Sequence, residues 1–186
     1  MGTLFRFVTV LAALATVACT PRERVVVILS TNDMHAKIER FAQLAAAVER
    51  CRDTVPDVVL VDAGDRWTGN AFVDKAPTPG RPMLWLRNRL GFDGAALGNH
   101  EFDLGQGFLG RMLDSMRFEV VCANVVSDTT TFPQPAPWTV VERGGVRIGF
   151  VGVVTNYEGP GHPAGNDASY AGLRFPDPQQ EAARCA

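Results

Sequence analysis

The chain has 186 residues, a formal net charge of −2, 46% hydrophobic residues and 20% charged residues. This apolar content excludes disorder as the main state, because the chain can bury enough surface to offset the entropy of ordering. The absence of a Lys and Arg excess argues against a general nucleic-acid-binding protein, which needs cations to neutralise phosphates. At roughly 100–200 residues per domain, the length predicts one domain.

The N-terminal segment has the features of an export signal. Arg6 precedes an uncharged apolar or small run over 7–18, and small residues stand at the predicted cleavage point. The run is shorter than the roughly 20 residues of a membrane span and fits the roughly 7–15 of a signal-peptide core. Residues 1–18 are therefore predicted to be a signal peptide, and a buried N-terminal strand or helix is the structural alternative.

Cys19 follows this run directly, in a context that resembles the cleavage box of a bacterial lipoprotein. The sequence predicts either a lipid-anchored protein that begins at Cys19 or a soluble secreted protein cleaved nearby. In both cases we expect an exported protein of the bacterial periplasm or cell envelope. Membrane attachment would come only through this lipid.

The remaining cysteines are Cys51, Cys122 and Cys185. The chain has no CxxC pair, which argues against zinc-ribbon and thioredoxin sites. A Cys51–Cys122 disulfide is possible in an oxidising compartment, and buried free thiols are the alternative.

Apolar runs alternate with helical patterns along the chain. The β-branched run over 25–29 is typical of a strand buried on both faces. The further predicted elements are a helix over 39–52, a second buried strand over 57–61, a helix over 81–90, a short strand over 95–97, a helix over 104–117, a strand over 118–123, a hairpin over 138–142 and 146–154, a loop over 157–171 and a helix from residue 179. This alternation predicts an α/β fold with a mainly parallel central sheet, and the hairpin predicts that the sheet is mixed.

Polar side chains follow three of these strands, at the edge where open α/β sheets bind ligands. Asp33 and His35 follow the first strand, two residues apart, so an extended segment would place both on one side. Carboxylate and imidazole together suit Zn, Mn or Fe better than Ca. The sequence therefore predicts a metal site at this edge.

The second and third strands add further candidates. Asp65 offers a carboxylate that could bridge two cations, and Asn99 offers a neutral oxygen. We expect Gly64 to let the backbone approach a bound group and Gly98 to form a tight turn. That turn would direct Asn99 and His100 inward, with His100 facing the substrate. The remaining histidine, His162, is predicted to be a solvated loop residue.

The order Asp-x-His, Gly-Asp and Gly-Asn-His-Glu resembles the calcineurin-like metallophosphoesterases. The segments LSTNDMH, LVDAGDRWTG, ALGNHEFDLG, CANV and GGVRIGFVGVVT resemble the 5′-nucleotidase subgroup in particular. The resemblance runs over about 25–180 and implies an α/β/β/α sandwich with a mixed sheet. Residues 25–186 would form the N-terminal portion of that domain.

The resemblance also implies site roles. Asp33 and His35 would bind the first of two divalent metal ions, Asp65 would bridge both, and Asn99 would bind the second. His100 would stabilise the transition state or protonate the leaving oxygen. The metals, Zn, Mn or Fe, would activate water for attack on a small phosphorylated substrate such as a nucleotide. For Asp103, orienting His100 and a purely structural role are alternatives.

The sequence departs from the family in two respects. Ala36 stands where the family usually has Gly. The family's later metal-ligand histidines, including a Gly-His-x-His motif, have no match before Ala186. We therefore expect a chain truncated before those ligands and incomplete at its C-terminus. The alternative is a catalytically inactive, metal-binding lipoprotein of the cell envelope. Cyclic nucleotides, nucleotide sugars and sulfur esters remain alternative substrates.

Overall fold

Four parallel strands form the main sheet of the computed structural model, which describes residues 23–157 and 161–186. The strands lie in chain order: β1 (Val27–Thr31), β2 (Val58–Asp62), β3 (Gly94–Ala96) and β4 (Glu119–Val121). Helices join consecutive strands: α1 (Phe41–Thr54), the short α2 (Ala71–Asp74), α3 (Arg81–Leu90) and α4 (Gln106–Asp114). Because all four strands run in the same direction, their carboxyl ends deliver the following loops to one edge.

The antiparallel strands form two further small sheets. β6 (Trp138–Arg143) pairs with β7 (Val146–Val151), and β5 (Val126–Ser127) pairs with β8 (Leu173–Arg174). Gly144 and Gly145 form the hairpin turn with φ of 59° and 72°, the positive values that a tight two-residue turn requires. The chain ends in α5 (Pro178–Cys185), which Asp177 caps by accepting the N–H groups of Gln179 and Gln180.

The α/β fold class is confirmed, with one difference in how the strands are distributed. The parallel and antiparallel strands belong to separate sheets instead of one mixed sheet. The helix predicted over 104–117 is shorter at both ends. It begins after Gly105, whose φ of 80° is left-handed.

The prediction that the first strand is buried on both faces is wrong. β1 begins and ends two residues later than predicted, and alternate residues along it are exposed. Ile28 retains 48% of its accessible surface. In the described part of the chain, β1 lies at the edge of the sheet and one of its faces is left uncovered, whereas β2 lies between two strands and is almost entirely buried.

Aromatic packing anchors the loop that follows β3. Phe102 is fully buried, and its ring centroid lies 5.9, 5.4 and 5.8 Å from those of Phe132, Tyr170 and Phe175. Such pairs add to the hydrophobic stabilisation of burial. The polar residues just before Phe102 are therefore held on a rigid support.

Cys51, Cys122 and Cys185 are free thiols, so the structure has no Cys51–Cys122 disulfide. Residues 1–18 and Cys19 lie outside the described residues. In the described part of the chain, no helix has the length and apolar character required to span a bilayer.

Candidate metal centre

The loop after β1 is a tight turn, which corrects the expectation of an extended segment. Asp33, His35 and Ala36 have φ of 58°, 44° and 53°. Their N–H groups donate to the carbonyl oxygens of Gly64, Asp65 and Arg66 at 3.1, 3.0 and 2.9 Å. The loop after β2 thus holds the loop after β1 in left-handed backbone conformations, which non-glycine residues rarely adopt unless their surroundings impose them.

This turn brings three potential ligands together. Asp33 Oδ1 lies 2.8 Å from His35 Nε2, and the ligand atoms of Asp33, His35 and Asp65 all lie within 4.8 Å of one another. His35 Nδ1 is 3.2 Å from the carbonyl oxygen of Thr68. When Nδ1–H donates to that carbonyl, Nε2 is left as the ligand atom, an arrangement common in metal-binding histidines. Two carboxylates and an imidazole fit Zn, Mn or Fe.

Gly64 and Gly98 let the second and third loops approach each other closely, which corrects the roles expected for both. A Cβ on Gly64 would lie 2.8 Å from Gly98 Cα, and a Cβ on Gly98 would overlap the Asp65 carboxylate and lie 2.8 Å from Asp65 N. Gly98 itself has an extended backbone, with φ of −102°. The glycines therefore make room for neighbouring protein atoms, and Gly98 in particular makes room for Asp65.

His100 lies directly beside this cluster. Its backbone N–H donates to Asp65 Oδ1 at 2.9 Å, and its ring contacts the His35 ring edge to face, with centroids 4.5 Å apart. His100 Nδ1 is 3.0 Å from Asp103 Oδ2. Burial opposes protonation of His100, but the hydrogen bond and charge of Asp103, with the charge of Asp65, raise its pKa overall. Burial raises the pKa of Asp65.

Asn99 begins the same short 3-10 helix as His100. Its side-chain amide donates to the carbonyl oxygen of Ala164 at 3.4 Å. With the nitrogen directed at a protein acceptor, the side-chain oxygen is the atom that could reach a cation.

Glu101 has a structural role in the site that the sequence did not reveal. It is fully buried. One carboxylate oxygen accepts the N–H groups of Asp65 at 2.8 Å and Gly98 at 2.6 Å, and the other accepts that of Arg66 at 2.8 Å. Glu101 therefore joins the two loops that carry Asp65 and His100. In the sequence, the sign of this role was the place of Glu101 at the end of the Gly-Asn-His-Glu motif. A buried carboxylate needs hydrogen-bond partners, and the three N–H groups supply them.

A buried charge network lies beneath the site. Asp62 Oδ1 is 3.1 Å from Arg66 Nε, Asp62 Oδ2 is 2.8 Å from Arg87 Nη1, and all three side chains have no exposed surface. The Thr31 hydroxyl also donates to Asp62. Burial alone would raise the pKa of Asp62, but the two arginines and these hydrogen bonds lower it overall.

The prediction that His162 is a solvated loop residue is wrong. Its side chain is only 17% exposed and stacks on Tyr170, with ring centroids 4.8 Å apart. The Tyr170 hydroxyl donates to the carbonyl oxygen of Ala164 at 2.8 Å. Burial, with the charges of Asp103 and Asp65, raises the pKa of Tyr170 to about 12. The imidazole is largely shielded from solvent because it packs on this aromatic ring.

Several known proteins are similar to this chain in sequence and in fold. No family model matches the chain. It is 31% identical over 164 residues to the 5′-nucleotidase of Rattus norvegicus, a match that covers 76% of this chain and 28% of the rat protein. The structure is similar to that of a 5′-nucleotidase precursor from Thermus thermophilus, with a TM-score of 0.73 and 29% identity over 86% of this chain and 33% of that one.

A calcineurin-like phosphoesterase from Bacillus subtilis shares the fold, with a TM-score of 0.68 and 23% identity over 86% of this chain and 56% of that one. The chain spans about a third or less of the two nucleotidases. By sequence, the chain belongs to the 5′-nucleotidase family, and it shares the fold of the calcineurin-like phosphoesterases.

Proposed function

We propose that the chain supplies part of the active site of a metal-dependent phosphate ester hydrolase of the 5′-nucleotidase type. The carrying observation is that the ligand atoms of Asp33, His35 and Asp65 lie within 4.8 Å of one another, beside the His100 imidazole. Carboxylate and imidazole ligands next to a further, separately held imidazole suit hydrolysis assisted by metal ions.

In this proposal Asp33 and His35 would hold a first divalent cation, Asp65 would serve both this cation and a second one, and Asn99 would contribute to the second. Zn, Mn and Fe fit these ligands. When bound, such cations supply positive charge to a phosphoryl group and lower the pKa of water. The near-neutral charge of the chain is consistent with phosphate affinity that comes from cations instead of a basic surface.

His100 is proposed to act on the substrate itself. Asp103 holds its Nδ1, so Nε2 is free to donate a hydrogen bond to a phosphoryl oxygen or a proton to the leaving oxygen. The raised pKa favours the protonated ring that such donation needs. Asp103 is proposed to orient the ring and to stabilise its charge.

The test is hydrolysis of AMP and p-nitrophenyl phosphate by the longest native form of the protein, with Mn or Zn and after chelation. We expect turnover that depends on added metal, that Asp65→Asn abolishes, and that His100→Gln lowers by ~10²–10⁴-fold. Asp114→Asn, on the exposed side of α4, is the matched control and should leave turnover unchanged. Equal turnover in wild type and Asp65→Asn would contradict the proposal.

A catalytically inactive metal-binding protein is the second candidate. The observation that favours it is the small number of ligands: the whole chain has three histidines, and His162 stacks on Tyr170. Calorimetric binding of Mn or Zn that Asp65→Asn weakens, without turnover of any ester by the longest native form, would support this alternative.

The substrate is proposed to be a small phosphorylated molecule such as a nucleotide. Cyclic nucleotides, nucleotide sugars and sulfur esters are the competing classes. Comparing kcat/KM across one compound of each class distinguishes them, because specificity is the ratio of these values. A preference for AMP would support the nucleotidase assignment.

Export and lipid anchoring are also proposed, on the basis of the sequence pattern over 1–18 and Cys19. Residues 25–186 would then form the metallophosphoesterase portion. In a bacterial host, we expect labelled fatty acid to enter the wild-type protein and not Cys19→Ala. Cys51→Ala is the control and should keep the label. Unlabelled wild-type protein in the periplasmic fraction would indicate the secreted alternative.

A further inference from the structure

Thr68 contacts the His35 imidazole directly and the His100 imidazole through Asp103. Its carbonyl oxygen is 3.2 Å from His35 Nδ1. Its hydroxyl donates to Asp103 Oδ2 at 2.6 Å, and the same carboxylate oxygen is 3.0 Å from His100 Nδ1. A single residue thus supports one histidine through its backbone and the other through its side chain.

The chain allows this contact because glycine follows Thr68. Gly69 has φ of 112°, and a Cβ there would lie 3.3 Å from His35 Cβ and 3.5 Å from His35 Nδ1. A side chain at this position would strain the left-handed backbone and would press on His35, which would have to move by a few tenths of an ångström. Thr68 also lies three residues after Asp65, so the loop that supplies a candidate ligand also supports both rings.

The hydroxyl matters because Asp103 is not fully buried. Its side chain is 30% exposed, so water competes for its oxygens. A donor fixed at 2.6 Å restrains the rotation of the carboxylate, and the restrained oxygen then presents a lone pair to His100 Nδ1. Without the hydroxyl, Asp103 can turn towards solvent, and the His100 ring loses the acceptor that sets its tautomer.

We propose that Thr68 is a positioning residue that holds the His35 and His100 imidazoles in a fixed mutual geometry. Its carbonyl acts on His35 directly, and its hydroxyl acts on His100 through Asp103. The consequence for catalysis rests on the proposed function, whereas the orientation of the rings can be measured without any metal or substrate.

The first experiment is nitrogen NMR of the imidazole rings in the full-length, metal-free protein at alkaline pH, where the rings are neutral. The chain has only three histidines, so each ring can be assigned. In Thr68→Val we expect the Nδ1–H tautomer of His100 to lose population. Thr68→Ser keeps the hydroxyl and should retain the wild-type signals. The His162 signals should be the same in all variants.

A second variant tests the backbone contact. Gly69→Ala should shift the His35 ring signals, since its methyl group presses against this residue, while the hydroxyl of Thr68 is retained. Urea unfolding of each variant establishes that the ring signals come from folded protein. Should Thr68→Val not fold, Thr68→Ala compared with Thr68→Ser gives the same contrast.

The kinetic readout is a joint fall of kcat and kcat/KM in Thr68→Val by ~10–100-fold, with recovery in Thr68→Ser. Unchanged His100 ring signals in folded Thr68→Val would overturn the positioning role. Absence of turnover in the wild type would instead count against the proposed function, and the NMR comparison would still decide the role of Thr68.

Discussion

Replacing Glu101 by Gln should be among the most damaging single changes near the site. Its two carboxylate oxygens accept three backbone N–H groups, from Asp65, Arg66 and Gly98. A glutamine has one oxygen, and its amide nitrogen would face at least one of these donors. If the glutamine oxygen takes the position that accepts from Asp65 and Gly98, only the N–H of Arg66 is left without an acceptor, which costs about 1–3 kcal/mol.

The charge of Arg66 adds to this loss. Its Nη1 lies 3.5 Å from Glu101 Oε1, and neither side chain is exposed. Removing one member of a buried ion pair costs about 3–5 kcal/mol, although Asp62 still pairs with Arg66 Nε at 3.1 Å and moderates the effect. We therefore expect Glu101→Gln to lower the free energy of unfolding by about 3–5 kcal/mol.

Urea unfolding at neutral pH measures this difference, and the slope with denaturant should stay the same if the folded state is intact. Thermal unfolding should show a Tm lower by about 6–20 °C. Glu119→Gln is the matched control, because Glu119 is exposed on β4 and surface changes are typically within about 0.5 kcal/mol. If Glu101→Gln were as mild as this control, the carboxylate would not be what joins the two loops.

Three further predictions follow from the same geometry. Gly98→Ala should weaken metal binding measured by calorimetry by ~10-fold or more, since its methyl group would overlap the Asp65 carboxylate. Gly149→Ala is the control and should bind metal as the wild type does, because no atom lies within 4 Å of a Cβ at Gly149. Equal metal affinities of Gly98→Ala and the wild type would refute the steric argument. The pKa of Asp62 is raised by burial but lowered overall by the two buried arginines, so its contribution to stability is fully present above the ordinary pKa of 3.8 and is lost as pH falls through the lower native pKa. The difference in unfolding free energy between wild type and Asp62→Asn should therefore shrink in acid, and a pH-independent difference would contradict this linkage. Burial raises the pKa of Cys122 to about 12, so at pH 8 only about one thiol in 10⁴ is thiolate. Iodoacetamide should therefore label Cys122 only after unfolding. Rapid labelling of Cys122 in the folded protein, detected by mass spectrometry, would contradict its burial.

The elements were largely predictable because their signals are local. The helix predicted over 81–90 matches α3, with Pro82 in the first turn and Gly91 after its end. The continuous apolar run that became β2 predicted burial correctly. The burial of β1 was less predictable. The run that predicted it is as apolar as that of β2, but β1 lies at the edge of the sheet with one face uncovered. This position depends on the order of the strands, which a local pattern does not give.

The sequence by itself determined which polar residues follow the strands and therefore that Asp33, His35 and Asp65 would lie at one edge. This follows because parallel strands end at the same edge of a sheet, so the residues after each strand meet there. Tertiary structure decided how they meet. The left-handed turn at Asp33 and His35, the contact that requires Gly98, and the role of Glu101 in joining the loops all involve residues at least 30 positions apart. Such contacts depend on how the loops pack against one another, and local patterns along one segment do not specify that packing.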